Sequence, residues 1–352
     1  MVLIDFDLPE KLKPKLHPDA IRVSNSSIKT WRKCKKEYYY KFILKLEKKS
    51  VPAPLYKGKL IHELLEERIN GGSWKRLMNK ALVEFDKLFE EEKTMYGDLP
   101  YELPTIMNGY HDYYKNDGLR YLDVDGKKSE FSLYVPLDGK PLEESLLVYT
   151  GKIDAVAFDE ANRVWLMDHK SFSSMPDENF RFTNQQVLLY AWGMEQMGMP
   201  IPDGVIWDYI RTKVPSKPEL LKKGGMTKKK LDTTYNTYFD ALIEAGLDPE
   251  DYGDYLDGLE GREANFYRRI YLPINRNMIQ PVVDDLIETA KEIAYMTGLL
   301  QARSLDRHCS FCSFKMVCQS DLQGLDTEYI LDAYFKKSTY HLNVDDKTEE
   351  EE

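Results

Sequence analysis

The sequence predicts a mixed α/β fold, a central β-sheet flanked by helices, and three observations predict it. Short runs rich in Val, Ile, Tyr and Phe, bounded by turn residues, gather between positions 131 and 171 and recur at 205–213 and 266–274. Segments with apolar residues at helical spacing precede and follow them. A chain of 352 residues with 42% hydrophobic and 12% aromatic content has material for a sizeable core, in one unit or two.

The elements follow in order. Residues 26–44 read as a first helix, with Ser26 or Ser27 as its N-cap. A second begins near Gly58, where Leu60, Ile61, Leu64, Leu65 and Ile69 mark a buried face, and further helical material fills 74–116. Strands are expected at 131–136, 147–159 and 164–171, a helix at 184–197, then strands at 205–213 and 266–274. Between these last two lies a charged, Gly-punctuated insertion, 214–265, with a helix expected at 233–246. Pro281 suits the first turn of a long amphipathic helix that turns Val282, Leu286, Ile287, Ile293 and Ala294 inward. The expected organisation is a single domain over 1–340: a mainly helical part at 26–120, the core sheet at 129–213 and 266–274, and a C-terminal helix with a cysteine segment at 280–320. The acidic tail, 341–352, is expected to be disordered.

No apolar run approaches the roughly 20 residues that cross a bilayer. Positions 1–14 lack the apolar stretch of a secretory signal, so a cytoplasmic location is expected. A formal charge of -10 argues against bulk attraction to nucleic acid. Local charge differs. Trp31, Arg32, Lys33, Lys35 and Lys36 stand in a basic, aromatic-rich stretch, and cations interleaved with rings suit the phosphates and unstacked bases of single strands. A solvated helix face over buried tyrosines is the competing interpretation. Lys222, Lys223, Lys228, Lys229 and Lys230 form a second basic stretch around a Gly pair.

The most informative segment runs through Gly151, Asp154, a turn at 159–163, Asp168, His169 and Lys170. A hairpin centred near Ala161 sets Asp154 opposite Asp168, and strand alternation puts Lys170 on the same face as Asp168. Facing carboxylates repel unless a divalent cation lies between them. Such a cation, with a lysine beside it, is the equipment of metal-assisted phosphodiester hydrolysis. His62 sits at the edge of an apolar helical face, and Gln186 and Tyr190 share a face four residues apart.

Taken in order, Gly58 to His62, Gly151 to Asp154, Asp168 to Lys170 and Gln186 to Tyr190 resemble the Gly-x-x-x-His, Gly-x-x-Asp, (Asp/Glu)-x-Lys and Gln-x-x-x-Tyr motifs of the RecB-like branch of the PD-(D/E)XK nucleases. The resemblance implies a restriction-endonuclease-like core. It implies Mg2+ or Mn2+ held by His62, Asp154, Asp168 and the carbonyl of His169, with Lys170 catalytic and Glu130 an outer carboxylate. Gln186 and Tyr190 would hydrogen-bond phosphate or a neighbouring carboxylate. The implied activity is DNA exonuclease action on single strands or resected ends. A structure-specific or restriction-type endonuclease and a non-catalytic DNA-binding adaptor are the alternatives. No Walker A loop occurs, so a helicase or recombination protein would be a separate partner.

The four cysteines are Cys34, Cys309, Cys312 and Cys318. Four thiols with a C-x2-C element favour a metal over disulfides in a cytosolic protein, and the metal is zinc or an iron-sulfur cluster. One distant cysteine with a C-terminal triplet is similar to the pattern of AddB-type and CRISPR-associated RecB-like nucleases, which implies a structural 4Fe-4S cluster joining the two ends, with Zn2+ as the alternative.

Overall fold

A computed structural model describes residues 15–174, 184–296 and 301–338. Its strands are β1 (Ile21–Val23), β2 (Leu46–Lys48), β3 (Arg120–Tyr121), β4 (Ser129–Pro136), β5 (Leu147–Phe158), β6 (Val164–Phe172), β7 (Gly204–Arg211), β8 (Tyr267–Pro273) and β9 (Phe335–Lys337). The helices are α1 (Asn25–Lys33), α2 (Lys35–Tyr38), α3 (Ala53–Ile69), α4 (Trp74–Asp86), α5 (Glu90–Tyr96), α6 (Leu99–Tyr113), α7 (Gln185–Gln196), α8 (Tyr235–Glu244), α9 (Gly253–Asp257), α10 (Ile279–Met296), α11 (Lys315–Leu322) and α12 (Glu328–Tyr334). The mixed α/β class is as expected. The acidic tail lies outside the described residues.

One seven-stranded sheet runs β1-β5-β6-β7-β8, with β3 and β4 also paired to β5. β4 and β3 line one edge of β5, while β1 and β6 share the other: β1 pairs with residues 147–149 and β6 with 155–158. Between these two ladders a short length of the β5 edge has no strand beside it. The hairpin turn is centred where expected, with Ala155 opposite Met167 and Phe158 opposite Val164.

Apolar alternation decides what covers each face. Val156, Leu166, Trp207 and Tyr209 pack under Val187, Ala191 and Met194 of α7. On the reverse face, Ala155, Ala157, Met167 and Ile206 meet Ile69 of α3, while Ile61 and Leu65 join Leu103, Met107 and Tyr110 of α6. The insertion folds around its own cluster, Met226, Tyr238, Leu242, Tyr252 and Leu256.

Three elements differ from expectation. The first helix does not run unbroken to 44. Ser24 caps α1 in a capping box with Ser27, and the chain turns extended at Cys34 before α2 and a π-helical turn at 39–43. The Lys36 amide donates to the carbonyl of Ala302, 3.0 Å away, so a tertiary contact takes the place of a helical bond there. α3 begins at Ala53, five residues before Gly58, with Pro54 in its first turn. In α10 the fully buried positions are Val283, Leu286, Ala290 and Ile293; Val282, Ile287 and Ala294 are only partly covered.

The two ends of the described chain meet. β2 pairs antiparallel with β9, and Asp321 receives Lys36 at 3.0 Å and also contacts Arg303.

Candidate active site

The unpaired length of the β5 edge is where the sequence-identified groups collect. Alternation along β5 does not run evenly through it: Gly151 lies against Tyr190 of α7, whereas Ala155 and Ala157 face α3. Glu130, across β4, adopts a left-handed φ of 54° at this point. Asp154 therefore does not simply stack above Asp168 as a flat hairpin would have it. Its carboxylate reaches into the gap between the strands and accepts the backbone N–H of His169 at 2.7 Å, with His62 Nδ1 3.9 Å from the same oxygen.

Asp168 is buried, and the Lys170 ammonium lies 2.6 Å from its Oδ2. Burial first, and then the nearby Asp154 charge, push the Asp168 carboxyl above the ordinary carboxylate range, against the pull of Lys170. His62 is pushed down to about 4, chiefly by desolvation and then by His169 and Lys170, so its imidazole is neutral at pH 7. Gln186 donates to the Tyr190 hydroxyl at 2.8 Å, closing the α7 side.

Two motif glycines have a steric reason. A Cβ on Gly58 would stand 2.6 Å from Ser171 Oγ, and one on Gly151 would stand 2.9 Å from the Tyr190 ring. These glycines let α3 and α7 close on the strands that carry the carboxylates.

Several contributors were not picked out from the sequence. Glu66, one turn beyond His62, is pushed up by burial and by its hydrogen-bonded neighbour Glu130, which also pairs with Lys152. The His169 side chain leaves β6 on the face opposite its neighbours and holds Asp208 of β7 at 2.7 Å through Nδ1. Asp208 is completely buried and also takes the Tyr110 hydroxyl at 2.5 Å and Arg269 Nε at 3.1 Å. Arg269 continues to Asp117 at 2.5 Å. Lys29 of α1 lies near enough to Lys170 for that charge, after desolvation, to lower its pKa.

His62, Glu66, Ile69, Glu130, Asp154 and His169 line a cavity of about 10 Å³, the scale of one water molecule. His169 Nε2 is buried without a hydrogen-bond partner among the described residues. Around this spot Glu66, Glu130, Asp154 and Asp168 are opposed by the ammonium groups of Lys152 and Lys170. An orphaned imidazole nitrogen and an excess of carboxylate fit a divalent cation in kind. Among the described residues, however, no group of three or more His, Cys, Asp or Glu side chains is arranged to hold a metal ion outright. A larger cleft of about 340 Å³, lined by Trp192, Glu195, Ile274 and Arg276, contains none of these residues.

The basic stretch behaves differently from expectation. Trp31 is only 2% exposed and cannot stack on bases. Arg32 donates to Thr289 and to the Asp285 carbonyl, Lys33 pairs with Glu37, Lys35 with Glu292, and buried Lys36 with Asp321. Arg32, Lys35 and Lys36 bind the first helices to the C-terminal segments, while Lys33 pairs within the first helices; Arg32 and Lys33 stay exposed.

Cys34, Cys312 and Cys318 lie at the same junction. Cys312 and Cys318 pack with Tyr40, Phe314 and Phe335, and the Cys312 thiol is pushed up by burial, with Cys34 among the nearby charges. Cys309 Sγ points to the Ser304 carbonyl at 3.4 Å.

No helix of the described residues is long and apolar enough to cross a membrane. No curated protein sequence matches the chain. Among solved structures, SSO0001 is similar at 9% identity over 84% of this chain and 85% of that one, with a TM-score of 0.31. The family model that matches spans residues 22–319, taking in α3, the β5–β6 hairpin, α7 and all four cysteines, and by that match the chain belongs to the PD-(D/E)XK nuclease superfamily.

Proposed function

We propose that the protein is a RecB-like DNA exonuclease, working from ends on single-stranded or resected DNA with Mg2+ or Mn2+, and that its terminal thiols carry a structural 4Fe-4S cluster. Membership of the superfamily supplies the reaction class, metal-dependent hydrolysis of phosphodiester bonds in DNA. The observation that carries the finer assignment is the meeting of His62, Asp154, Asp168 and Lys170 in the break along the β5 edge.

His62, Asp154, Asp168 and His169 would hold the divalent ion. Once bound it would polarise a phosphoryl oxygen and lower the pKa of an attacking water. His169 was expected to offer its carbonyl; its orphaned Nε2 makes the ring a second candidate donor. Lys170 now neutralises Asp168, and with that carboxylate engaged elsewhere its ammonium is free to offset charge that grows on the phosphate in the transition state. Gln186 and Tyr190 supply neutral hydrogen-bonding groups from α7.

The test is digestion of end-labelled linear and closed circular DNA in Mn2+ and in Mg2+. Exonuclease action degrades linear DNA from its termini and spares circles; cleaved circles would establish an endonuclease instead. Asp168→Ala and Lys170→Ala should each lower the rate by about 100-fold or more. A wild-type protein that binds DNA but cleaves neither substrate would favour the adaptor alternative.

The cluster rests on thiol chemistry and on the shared neighbourhood of Cys34, Cys312 and Cys318, with Cys309 three residues before Cys312. Such a group would reinforce a junction that β2 and β9 already make. Anaerobic purification should yield about four irons per chain and visible charge-transfer absorption; zinc without iron would point to the alternative metal.

A further inference from the structure

The insertion at 214–265 has no part in the site so far, yet its charge and its position both require an explanation. Between 214 and 230 it carries six lysines against the single acid Glu219, in a chain whose formal charge is -10. Like charges held together repel, and a fold keeps them together at a cost unless a polyanion meets them.

The lysines are held on a built support. Leu220 bridges Met226, and Lys222 and Lys223 occupy the turn closed by the Gly224 amide on the Leu221 carbonyl, 2.9 Å away. Gly224 and Gly225 take φ values of 82° and 84°, which glycine adopts readily and which turn the chain sharply. Three tyrosine hydroxyls then fix the backbone of the returning segment: Tyr252 accepts from the Met226 amide at 2.8 Å, while Tyr238 and Tyr255 donate to the carbonyls of Thr227 and Lys229 at 3.1 and 2.7 Å. Two of these rings are buried in the insertion's own core. Lys222, Lys223, Lys229 and Lys230 are exposed and make no ion pair among the described residues. Leu220 and Leu221 at the same tip are 60% and 46% exposed.

The root of the insertion lies at the catalytic end of the sheet. Thr212 donates its amide to the Phe172 carbonyl at 2.7 Å and Arg211 Nε bonds the Ser173 carbonyl at 3.1 Å, two and three residues beyond Lys170. Arg211 also clamps Asp232 of the insertion in a two-pronged pair at 2.9 and 2.6 Å, and the Lys57 ammonium, from the turn of α3 before His62, reaches the Thr212 carbonyl. The lysine-bearing segment is thus rooted where β6 and β7 end.

We infer that the insertion is a phosphate clamp for the DNA strand beyond the scissile bond: Lys222, Lys223, Lys229 and Lys230 bind backbone phosphates, and the Leu220–Leu221 tip meets the bases. The clamp rests on the nuclease assignment for its ligand and takes over the role that the sequence suggested for Trp31 to Lys36, where Trp31 is buried and Arg32, Lys35 and Lys36 are engaged with the C-terminal segments.

Anisotropy titrations of a labelled single-stranded 30-mer in EDTA, across a salt series, test it on the full chain. The variant Lys222→Gln, Lys223→Gln, Lys229→Gln, Lys230→Gln should bind at least about tenfold more weakly at 0.1 M salt, with the log–log salt slope reduced by about 3, since each phosphate contact contributes about 0.7 on single strands. Replacing Lys75 and Lys80 of α4, and Lys87 just after it, with Gln should leave the slope within about 0.5 of wild type. An unchanged slope in the insertion variant, or an equal fall in the α4 variant, overturns the clamp. Wild-type cleavage in Mn2+ is scored separately. Cleavage with an unchanged slope removes the clamp and keeps the nuclease, whereas salt-dependent binding through the insertion without cleavage removes the nuclease and keeps the clamp.

Discussion

Replacing Asp208 with asparagine probes how the site is kept in shape. The side chain is fully buried and receives three donors, His169 at 2.7 Å, Tyr110 at 2.5 Å and Arg269 at 3.1 Å, so its loss of charge is felt on three elements at once. Breaking a buried ion pair costs about 3–5 kcal/mol, and because Arg269 keeps Asp117 the low end applies, about 3 kcal/mol. With an unfolding entropy of about 2.1 cal/mol/K per residue over 352 residues, that lowers Tm by about 4 °C. The same substitution acts on the proton of His169. A carboxylate at Nδ1 demands an N–H there and leaves Nε2 as a lone pair facing the cavity; an amide can donate to Nδ1 and let Nε2 carry the proton. Mn2+ affinity, followed by titration calorimetry, should then fall by about 10- to 100-fold. The carboxyl of Asp208 sits at about 2 in the fold, below the ordinary value of 3.8, held there against burial by Arg269 and then His169. Its stabilisation is therefore complete above about pH 4 and is lost as the pH falls toward 2. The Asp208→Asn protein should accordingly lose the part of the wild-type acid transition that lies in that window. A variant with wild-type Tm and undiminished Mn2+ affinity would refute this account of how His169 is oriented.

Other perturbations test neighbouring groups. Gly151→Ala would set a methyl 2.9 Å from the Tyr190 ring, and should cost about 1–3 kcal/mol in urea unfolding, with most of the loss recovered when Tyr190→Leu is added; no recovery would mean that the ring is not the obstacle. His62→Ala should weaken the Mn2+-supported rate more than the Mg2+-supported one, because an imidazole nitrogen suits the softer ion; equal losses in initial rate would remove His62 from the ligand set. Cys34→Ser should abolish iron loading and visible absorption while far-ultraviolet dichroism stays close to wild type, as β2 and β9 pair without it. An iron content equal to that of the wild type would exclude Cys34.

Much of this arrangement was legible in the chain. The turn at 159–163 and the apolar alternation on either side fixed the hairpin centre at Ala161, and the observed pairs share that centre. What alternation missed was the local break in β5, since a period of two assumes an even strand, and the left-handed Glu130 opposite Asp154 belongs to no such pattern. The buried ion network was missed for a different reason. Asp208 sits alone in the apolar run Val205-Ile-Trp-Asp-Tyr-Ile210, and an isolated acid there was itself a signal, because a charge at the centre of a sheet must find partners. Glu66 lay four residues after His62, the spacing that puts both on one helix face, and could have been read from it. The first basic stretch misled because composition gives charge but not direction: only the return of the C-terminal segments shows that Lys35 and Lys36 face Glu292 and Asp321.

The site and the network behind it divide two tasks that oppose each other. Collected carboxylates strain a fold, and here Asp168 and Glu66 are both driven up by burial and by an acidic neighbour. The same strands carry the compensation: Asp208, enclosed by three donors, is driven down, and it grips His169, the residue between Asp168 and Lys170. Because successive residues of a strand point to opposite faces, β6 can be anchored through His169 by a satisfied ion cluster while the side of the site where Glu66, Glu130 and Asp154 collect stays short of positive charge. A cation entering on the deficient side gains electrostatic energy without having to organise the strand first, which is the condition under which a preformed site binds and reacts at low reorganisation cost.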